Sequence, residues 1–371
     1  MKSPKFSEIS PVSKLLMGPG PSNVAPSVLK ALAKPLLGHL DPSFLSIVDE
    51  VQVMLRYLFG TENQTTYPVS GTGSAGMETA FVNLIEPGET VLVCENGVFG
   101  RRMIDLAGRC GAQVNTIAKP WGQVFSPREV EEAISKYKPK IVSIVHAETS
   151  TGVLQPLEEI CALINASGVF SIVDTVTSLG GSQLYVDEWA IDVAYSGTQK
   201  CLSCPPGLAP ITFSDRALNK IKNRKTAVQS WYFDVNLIQN YFGAKRSYHH
   251  TAPVSMIYGL HEALRLICEE GVEACVARHK KNHLILKKSL ESLGLRYLPK
   301  AEVILPQLNA VAIPDGVDDK TVRKRLLTEF GIEIGGGLGE FAGKAWRIGL
   351  MGVNSNECSV STLVAALKKT L

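Results

Sequence analysis

Val169-Phe-Ser-Ile-Val-Asp174 and Ser196-Gly-Thr-Gln-Lys200, whose lysine lies twenty-six residues beyond that aspartate, decide how this chain is read. The first is an apolar run of strand length that ends on a carboxylate. The second closes a shorter strand, Asp192-Val-Ala-Tyr195, with small residues and one lysine. In a parallel α/β sheet the carboxyl ends of the strands line the crevice where ligands sit, so an acid and an amine at two strand ends can converge on one ligand. Taken alone, the pair also has a plainer reading. An aspartate at a strand end serves as a helix cap or turn former, and a loop lysine as a solvated charge.

The surroundings limit what such a pair can be for. A chain of 371 residues, 45% hydrophobic and 20% charged, is long enough for a large core and for two domains. Its formal charge of +3 is spread with mixed signs, which gives no footprint for nucleic acid or a membrane surface. The densest basic cluster, Lys220 to Lys225, lacks interleaved aromatics and reads as a solvated helix end. Eight cysteines in a chain this long are not a disulfide framework, and several, such as Cys94, Cys161 and Cys268, sit in apolar runs. Only Cys201-Leu-Ser-Cys204 has redox or zinc spacing, and no second pair completes a metal site; no metal is expected. No segment has the length and apolarity of a bilayer span or a signal-peptide core, so the expected address is the cytoplasm.

In chain order, residues 1 to about 25 are rich in proline and end in Met17-Gly-Pro-Gly-Pro-Ser-Asn23. Such density of Gly and Pro predicts a rigid extended turn, and Gly18 and Gly20 permit close approach of the backbone to a ligand. Gly38-His39 opens a turn before a helix over about 44–59; His39 reads equally as a substrate-facing imidazole or an ordinary turn residue. From Thr65 to Phe213, strands and helices alternate: strands over 66–70, 90–94, 113–117, 141–145, 169–173, 192–195 and 208–213, and helices over 75–85, 127–136 and 157–166. That alternation predicts an α/β fold, a mostly parallel sheet covered by helices on both faces. From about Ser255 the pattern changes to long helices and short strands. The expected division is an N-terminal arm over 1–25, a large domain over 26–254 and a small C-terminal α+β domain over 255–371.

Gly71-Thr-Gly-Ser-Ala-Gly76 follows a strand and opens a helix, with Glu95 ending the next strand 19 residues further on. Formally this is a dinucleotide fingerprint, and an NAD-dependent oxidoreductase is a genuine rival. The physics shared by both readings is a helix N-terminus whose free amides hold phosphate. Thr72 and Ser74 add hydroxyls suited to a single phosphate ester, and a dinucleotide would leave Asp174 and Lys200 without a use. Pyridoxal phosphate uses all of them. Its aldehyde takes the lysine amine as a Schiff base, and a carboxylate keeps its ring nitrogen protonated. Phe99 could stack on the ring or fill a core. Thr149, in His146-Ala-Glu-Thr-Ser-Thr-Gly152, could bond the ring oxygen, and Arg347 could clamp a carboxylate or form a surface ion pair.

Taken together, Met17-Gly-Pro-Gly-Pro-Ser-Asn23, Ser70-Gly-Thr-Gly73, Glu148-Thr-Ser-Thr-Gly152, Tyr195-Ser-Gly-Thr-Gln-Lys200, Tyr248-His-His-Thr251 and Arg347-Ile-Gly-Leu-Met-Gly352 resemble the class V aminotransferases, in family order from about Leu16 onward. The resemblance implies a fold-type I transferase that carries pyridoxal 5'-phosphate and works as a homodimer in which both subunits build each active site. It implies transamination between a small amino acid, alanine or serine, and a small 2-oxo acid, glyoxylate or pyruvate. Serine:glyoxylate, 2-aminoethylphosphonate:pyruvate and 3-hydroxykynurenine activities remain as alternatives. Carried over by position, Lys200 would hold the cofactor aldehyde and Asp174 the ring nitrogen, with Gln199 near the phosphate. Thr72, Gly73 and Ser74 would cradle the phosphate, Phe99 would stack on the ring and Thr149 would bond its oxygen. Tyr248 and Thr251 would reach the phosphate of the neighbouring subunit's cofactor. Arg347 would bind the substrate carboxylate, near Gly20, His39 and Thr149. Three features depart from the family pattern. Animal members carry Trp at the place of Phe99 and His at that of Ser74; Gly38-His39 replaces a small polar pair at the substrate mouth; and Cys201 and Cys204 have no counterpart.

Overall fold

A computed structural model describes residues 3–371. Ile141–Val145 is buried along its whole length, which is why its sequence is apolar at nearly every position instead of alternating. It lies inside a seven-stranded sheet whose order is 65–70, 208–213, 193–195, 170–174, 141–145, 90–95, 113–118. Five strands, from Val193–Tyr195 to the edge strand Gln113–Ala118, run parallel. Leu208–Phe213 runs against both of its neighbours. The sheet is therefore mostly parallel, as the alternation of elements predicts, with one reversed strand beside the edge. Gln113–Ala118 is polar and only half buried, which suits a strand with one unpaired side.

Helix ends follow local chemistry. Pro127–Tyr137 opens on a capping box in which Ser126 and Glu129 satisfy each other's backbone amides. Pro42–Phe59 opens on Asp41, whose carboxylate accepts from the Ser43 amide, and stops at Gly60 with φ of 63°. The basic run after Asp215–Lys222 is not simply solvated. Lys220 pairs with Glu89 at 2.6 Å, and Arg224 donates to the carbonyls of Asn83 (2.7 Å) and Ile85 (2.6 Å), closing the last turn of Gly73–Leu84.

A second core lies around a three-stranded antiparallel sheet of Leu308–Ala312, Ala345–Gly349 and Gly335–Gly336. Leu286 and Leu290, Val322 and Leu326, and Val360, Leu363 and Leu367 pack against it from three helices. The change of sequence pattern near residue 255 precedes the change of core: Ile257, Leu260 and Leu264 of Val254–Glu270 pack into the larger cluster. The N-terminal arm joins the smaller one. Leu15–Leu16 pairs parallel with Ile332–Glu333, and Met17 is fully buried there. The arm then crosses Gly349, whose amide donates to the Met17 carbonyl at 2.8 Å. A Cβ on Gly349 would stand 2.0 Å from the Gly18 carbonyl oxygen, a main-chain atom with no freedom to turn away.

Gly349→Ala is accordingly expected to destabilise the protein by about 1–3 kcal/mol through forced backbone displacement, read as a lower denaturant midpoint. Gly108→Ala is the control: it sits inside helix Val98–Arg109 with nothing within 4 Å of its would-be Cβ, and its midpoint should hold or rise.

Candidate active site

Strand register brings the two deciding residues together. Asp174 lies opposite Tyr195 across the parallel pair, and the Tyr195 hydroxyl donates to Asp174 Oδ2 at 2.9 Å while the Val176 amide donates to Oδ1 at 2.8 Å. The carboxyl is 3% exposed. Burial pushes its pKa up to about 6, opposed by those two hydrogen bonds and by the charges of Lys200 and Arg102. Lys200, five residues past the end of the neighbouring strand, is 9% exposed. Burial, and next the Arg347 cation, lower its pKa to about 8 against the attraction of Asp174. At neutral pH the acid is ionised, and a useful minority of the amine, about a tenth, is neutral.

The N-terminal arm roofs this pair. The Lys200 ammonium donates to the Pro19 carbonyl, the Ser22 amide to Gln199 O at 2.9 Å, and the Ser22 hydroxyl to Lys200 O at 2.8 Å. Gly20 has φ of 107°, and a Cβ there would lie 2.7 Å from Lys200 Nζ. Close backbone approach is thus what the glycine supplies.

Helix Gly73–Leu84 starts at the far side of the same cavity. Thr72 is its N-cap without spending its hydroxyl on the helix, so that hydroxyl, the Ser74 hydroxyl and the first amides remain free to bind. The cavity, of about 150 Å³, is lined by Thr72, Gly73, Ser74, Phe99, Thr149, Asp174, Gln199 and Lys200 together, with Met77 and Arg102 among the residues that sequence reasoning did not single out. Strand order rules against the dinucleotide fold. Its acid must end the strand beside the glycine strand, but Glu95 ends a strand five places away across the sheet and pairs with Arg101 at 3.0 Å.

Phe99 is held by a residue whose part is invisible in sequence. Glu148 Oε2 accepts from the amides of Phe99 (3.0 Å) and Gly100 (3.4 Å), capping helix Val98–Arg109, and Oε1 accepts from the Ser150 amide (3.0 Å) and hydroxyl (2.6 Å). Burial raises its pKa to about 7 despite those bonds. Only its place, one residue before Thr149 at the end of a buried strand, hints at this. Arg347 sits in the middle of Ala345–Gly349 and not at its end. Its Nε donates to Gly336 O at 2.8 Å and its Nη1 to Thr149 O at 3.4 Å; burial lowers its pKa to about 10.

His39, Tyr248 and Thr251 do not line the Lys200 cavity of their own chain. The His39 ring lies 5.5 Å from that of Tyr248, Tyr248 is 63% exposed, and Thr251 is exposed as well. Cys201 and Cys204 are buried; Cys201 donates to Thr177 O at 3.1 Å, and burial pushes both thiols up to about 12, so both are inert packing groups.

The donor set suits pyridoxal phosphate. A phosphate-binding helix start stands at one end and an amine and a buried carboxylate at the other, with Gln199 beside them in the lining. Among the described residues no helix is long and apolar enough to cross a membrane.

The chain is similar to an alanine–glyoxylate aminotransferase of Drosophila melanogaster, 42% identical over 364 residues, covering 97% of this chain and 92% of that one. It is 39% identical over 376 residues to an (S)-ureidoglycine–glyoxylate transaminase of Bacillus subtilis strain 168, covering 96% and 90%. The crystal structure of an alanine–glyoxylate aminotransferase from Nostoc sp. superposes with a TM-score of 0.97 at 51% identity, over 99% of this chain and 97% of that one. The family model for class V aminotransferases matches residues 16–344, and the chain therefore belongs to that family: it is a fold-type I aminotransferase that depends on pyridoxal phosphate.

Proposed function

We propose that this enzyme moves the amino group of alanine or serine to glyoxylate or pyruvate. The observation that carries this reading is the small cavity in which Lys200 and Asp174 meet, roofed by main chain at Pro19 and Gly20 and flanked by Arg347. The cavity supplies the amine and the acid the chemistry needs, and the alanine–glyoxylate relatives support short amino acids and oxo acids as the substrates.

In this reading Thr72, Gly73, Ser74 and Gln199 hold the cofactor phosphate, Phe99 lies against the ring, Thr149 bonds the ring oxygen and Asp174 faces the ring nitrogen. Bound there, pyridoxal phosphate supplies an electrophilic aldehyde and an electron-withdrawing ring. The protein does the rest. Arg347 grips the substrate carboxylate with two parallel N–H bonds, which orients the Cα–H toward Lys200. Lys200 Nζ, which burial favours as the neutral amine, would take the Cα proton and hold it for return. Asp174, kept ionised by Val176, Tyr195 and nearby cations, holds the opposing charge fixed throughout. The arm at Gly20 and the first turn of Val98–Arg109, which carries Phe99, keep water off the exchange.

We further infer a homodimer in which Tyr248 and Thr251, with His39 beside them, complete the site of the other subunit. Their exposure supports this, as does that of Thr72 and Ser74 and of the arm residues Phe6, Ile9 and Val12. Eight unpaired cysteines support work in the reducing cytoplasm.

Three measurements test these readings. Mixed with the loaded enzyme, alanine or serine should convert the cofactor from its aldehyde to its amine form faster than 2-aminoethylphosphonate, 3-hydroxykynurenine or ureidoglycine; a different fastest donor reassigns the substrate, and turnover by Lys200→Ala refutes the lysine's role. Capture of pyridoxal phosphate by the cofactor-free protein needs neutral Lys200, so its rate should rise with pH through about 8 and level off above. A rise that continues toward the range of an ordinary lysine would contradict the depressed value. Finally, dimers re-formed from equal amounts of Lys200→Ala and Tyr248→Ala/Thr251→Ala chains should recover about a quarter of wild-type activity, since half the dimers then hold one intact site. Recovery confined to the level of the separate variants, with hybrids demonstrably present, would rule out shared sites.

A further inference from the structure

The phosphate cradle is short of positive charge. Thr72, Ser74, Gln199 and main-chain amides are neutral donors, and a helix N-terminus contributes about half a unit charge, whereas a phosphate ester near neutral pH carries roughly −1.5 to −2. The other cations of the site have other tasks: the Lys200 ammonium donates to Pro19 O beside Asp174, and Arg347, held by Gly336 O and Thr149 O, is the clamp proposed for the substrate carboxylate.

One cation remains. Arg102, in the second turn of Val98–Arg109, lines the same cavity. Its guanidinium lies 5.1 Å over the centroid of the Phe99 ring, and Nη1 stands 3.4 Å from Ser74 Oγ. Its neighbour Arg101 is occupied by Glu95 and Glu340, but among the described residues Arg102 makes no ion pair. The Phe99 face supports the guanidinium while one N–H reaches Ser74 Oγ, and its remaining N–H groups are available to grip an oxyanion.

We propose that Arg102 is a phosphate-binding residue, the cation that balances the cofactor's phosphate at the Ser74 side of the cradle. This rests on the reading that residues 72–74 hold that phosphate, and the test separates the two. Cofactor-free wild type, Arg102→Gln and Arg102→Lys are titrated with pyridoxal phosphate and with pyridoxal, following protein fluorescence, with melting curves of the cofactor-free proteins as a check on folding. Wild type should prefer the phosphorylated ligand. Arg102→Gln should weaken pyridoxal phosphate about tenfold to a hundredfold, as expected for one charge-assisted contact, and leave pyridoxal unchanged; Arg102→Lys should regain part of the loss. The wild-type preference should also shrink with added salt, because Arg102 is exposed. If Arg102→Gln keeps the full preference for the phosphorylated ligand, the assignment of Arg102 is overturned while the cradle stands. If wild type binds both ligands equally, the cradle falls and the assignment with it. Equal weakening of both ligands by Arg102→Gln makes the side chain a support for Phe99 alone and also overturns the proposal.

Discussion

An amine and a carboxylate must be held out of water, close together and both still able to change or keep charge; the site depends on meeting that constraint. Burial alone would neutralise both groups. Asp174 resists because two donors, the Val176 amide and the Tyr195 hydroxyl, face it from its own chain turn and from the adjacent strand. Lys200 is instead allowed to yield: burial and the Arg347 cation favour the neutral amine, and only Asp174 pulls the other way among the acids of the cavity. Hydrogen bonds and cations limit the rise at Asp174, so that it stays ionised near pH 7, whereas the fall at Lys200 makes a lysine a usable base there.

What holds the pair in place is a combination of sheet and strap. Register fixes Asp174 opposite Tyr195, and the turn after Tyr195 then delivers Lys200 with little freedom. The arm ties that turn to the second core. Its residues pair with Ile332–Glu333, accept from Gly349 and bond the main chain of Gln199 and Lys200 within a span of eight residues. The smaller core, which carries Arg347, and the larger one, which carries Asp174, therefore share a single piece of backbone above the reacting groups.

The central strands of the large sheet could be read in the sequence because a strand buried on both faces must be apolar at nearly every position, and the more polar Thr65–Ser70 and Gln113–Ala118 from their place in the alternation with helices. The cavity residues from Thr72 to Lys200 were legible for a related reason: glycines, hydroxyls and one acid or amine recur at strand ends, where the fold leaves room for a ligand. What escaped was whatever depends on partners distant in sequence. Nothing in Leu15-Leu16 announces a two-residue strand, since its pairing is supplied by Ile332 and Glu333. Helix Val98–Arg109 begins at a glycine with no side-chain cap of its own; its cap is Glu148, some fifty residues on. Arg102 is an unremarkable arginine until that helix turns it over Phe99. Tyr248 and Thr251 are exposed and His39 lies against Tyr248, and none of the three lines the cavity of its own chain.

The reversed strand Leu208–Phe213 sets a distance. It separates the strand that leads into Thr72 from the one that leads into Lys200, and being antiparallel to both it lets those two point the same way. Two inter-strand steps amount to about 10 Å, so the spacing between the helix start and the lysine turn is gauged by hydrogen-bonded backbone and not by any side chain. Such a gauge is insensitive to surface substitution and to loop length, and it tolerates no added or missing strand. Ligands for this scaffold are thereby selected by length before any contact chooses among them.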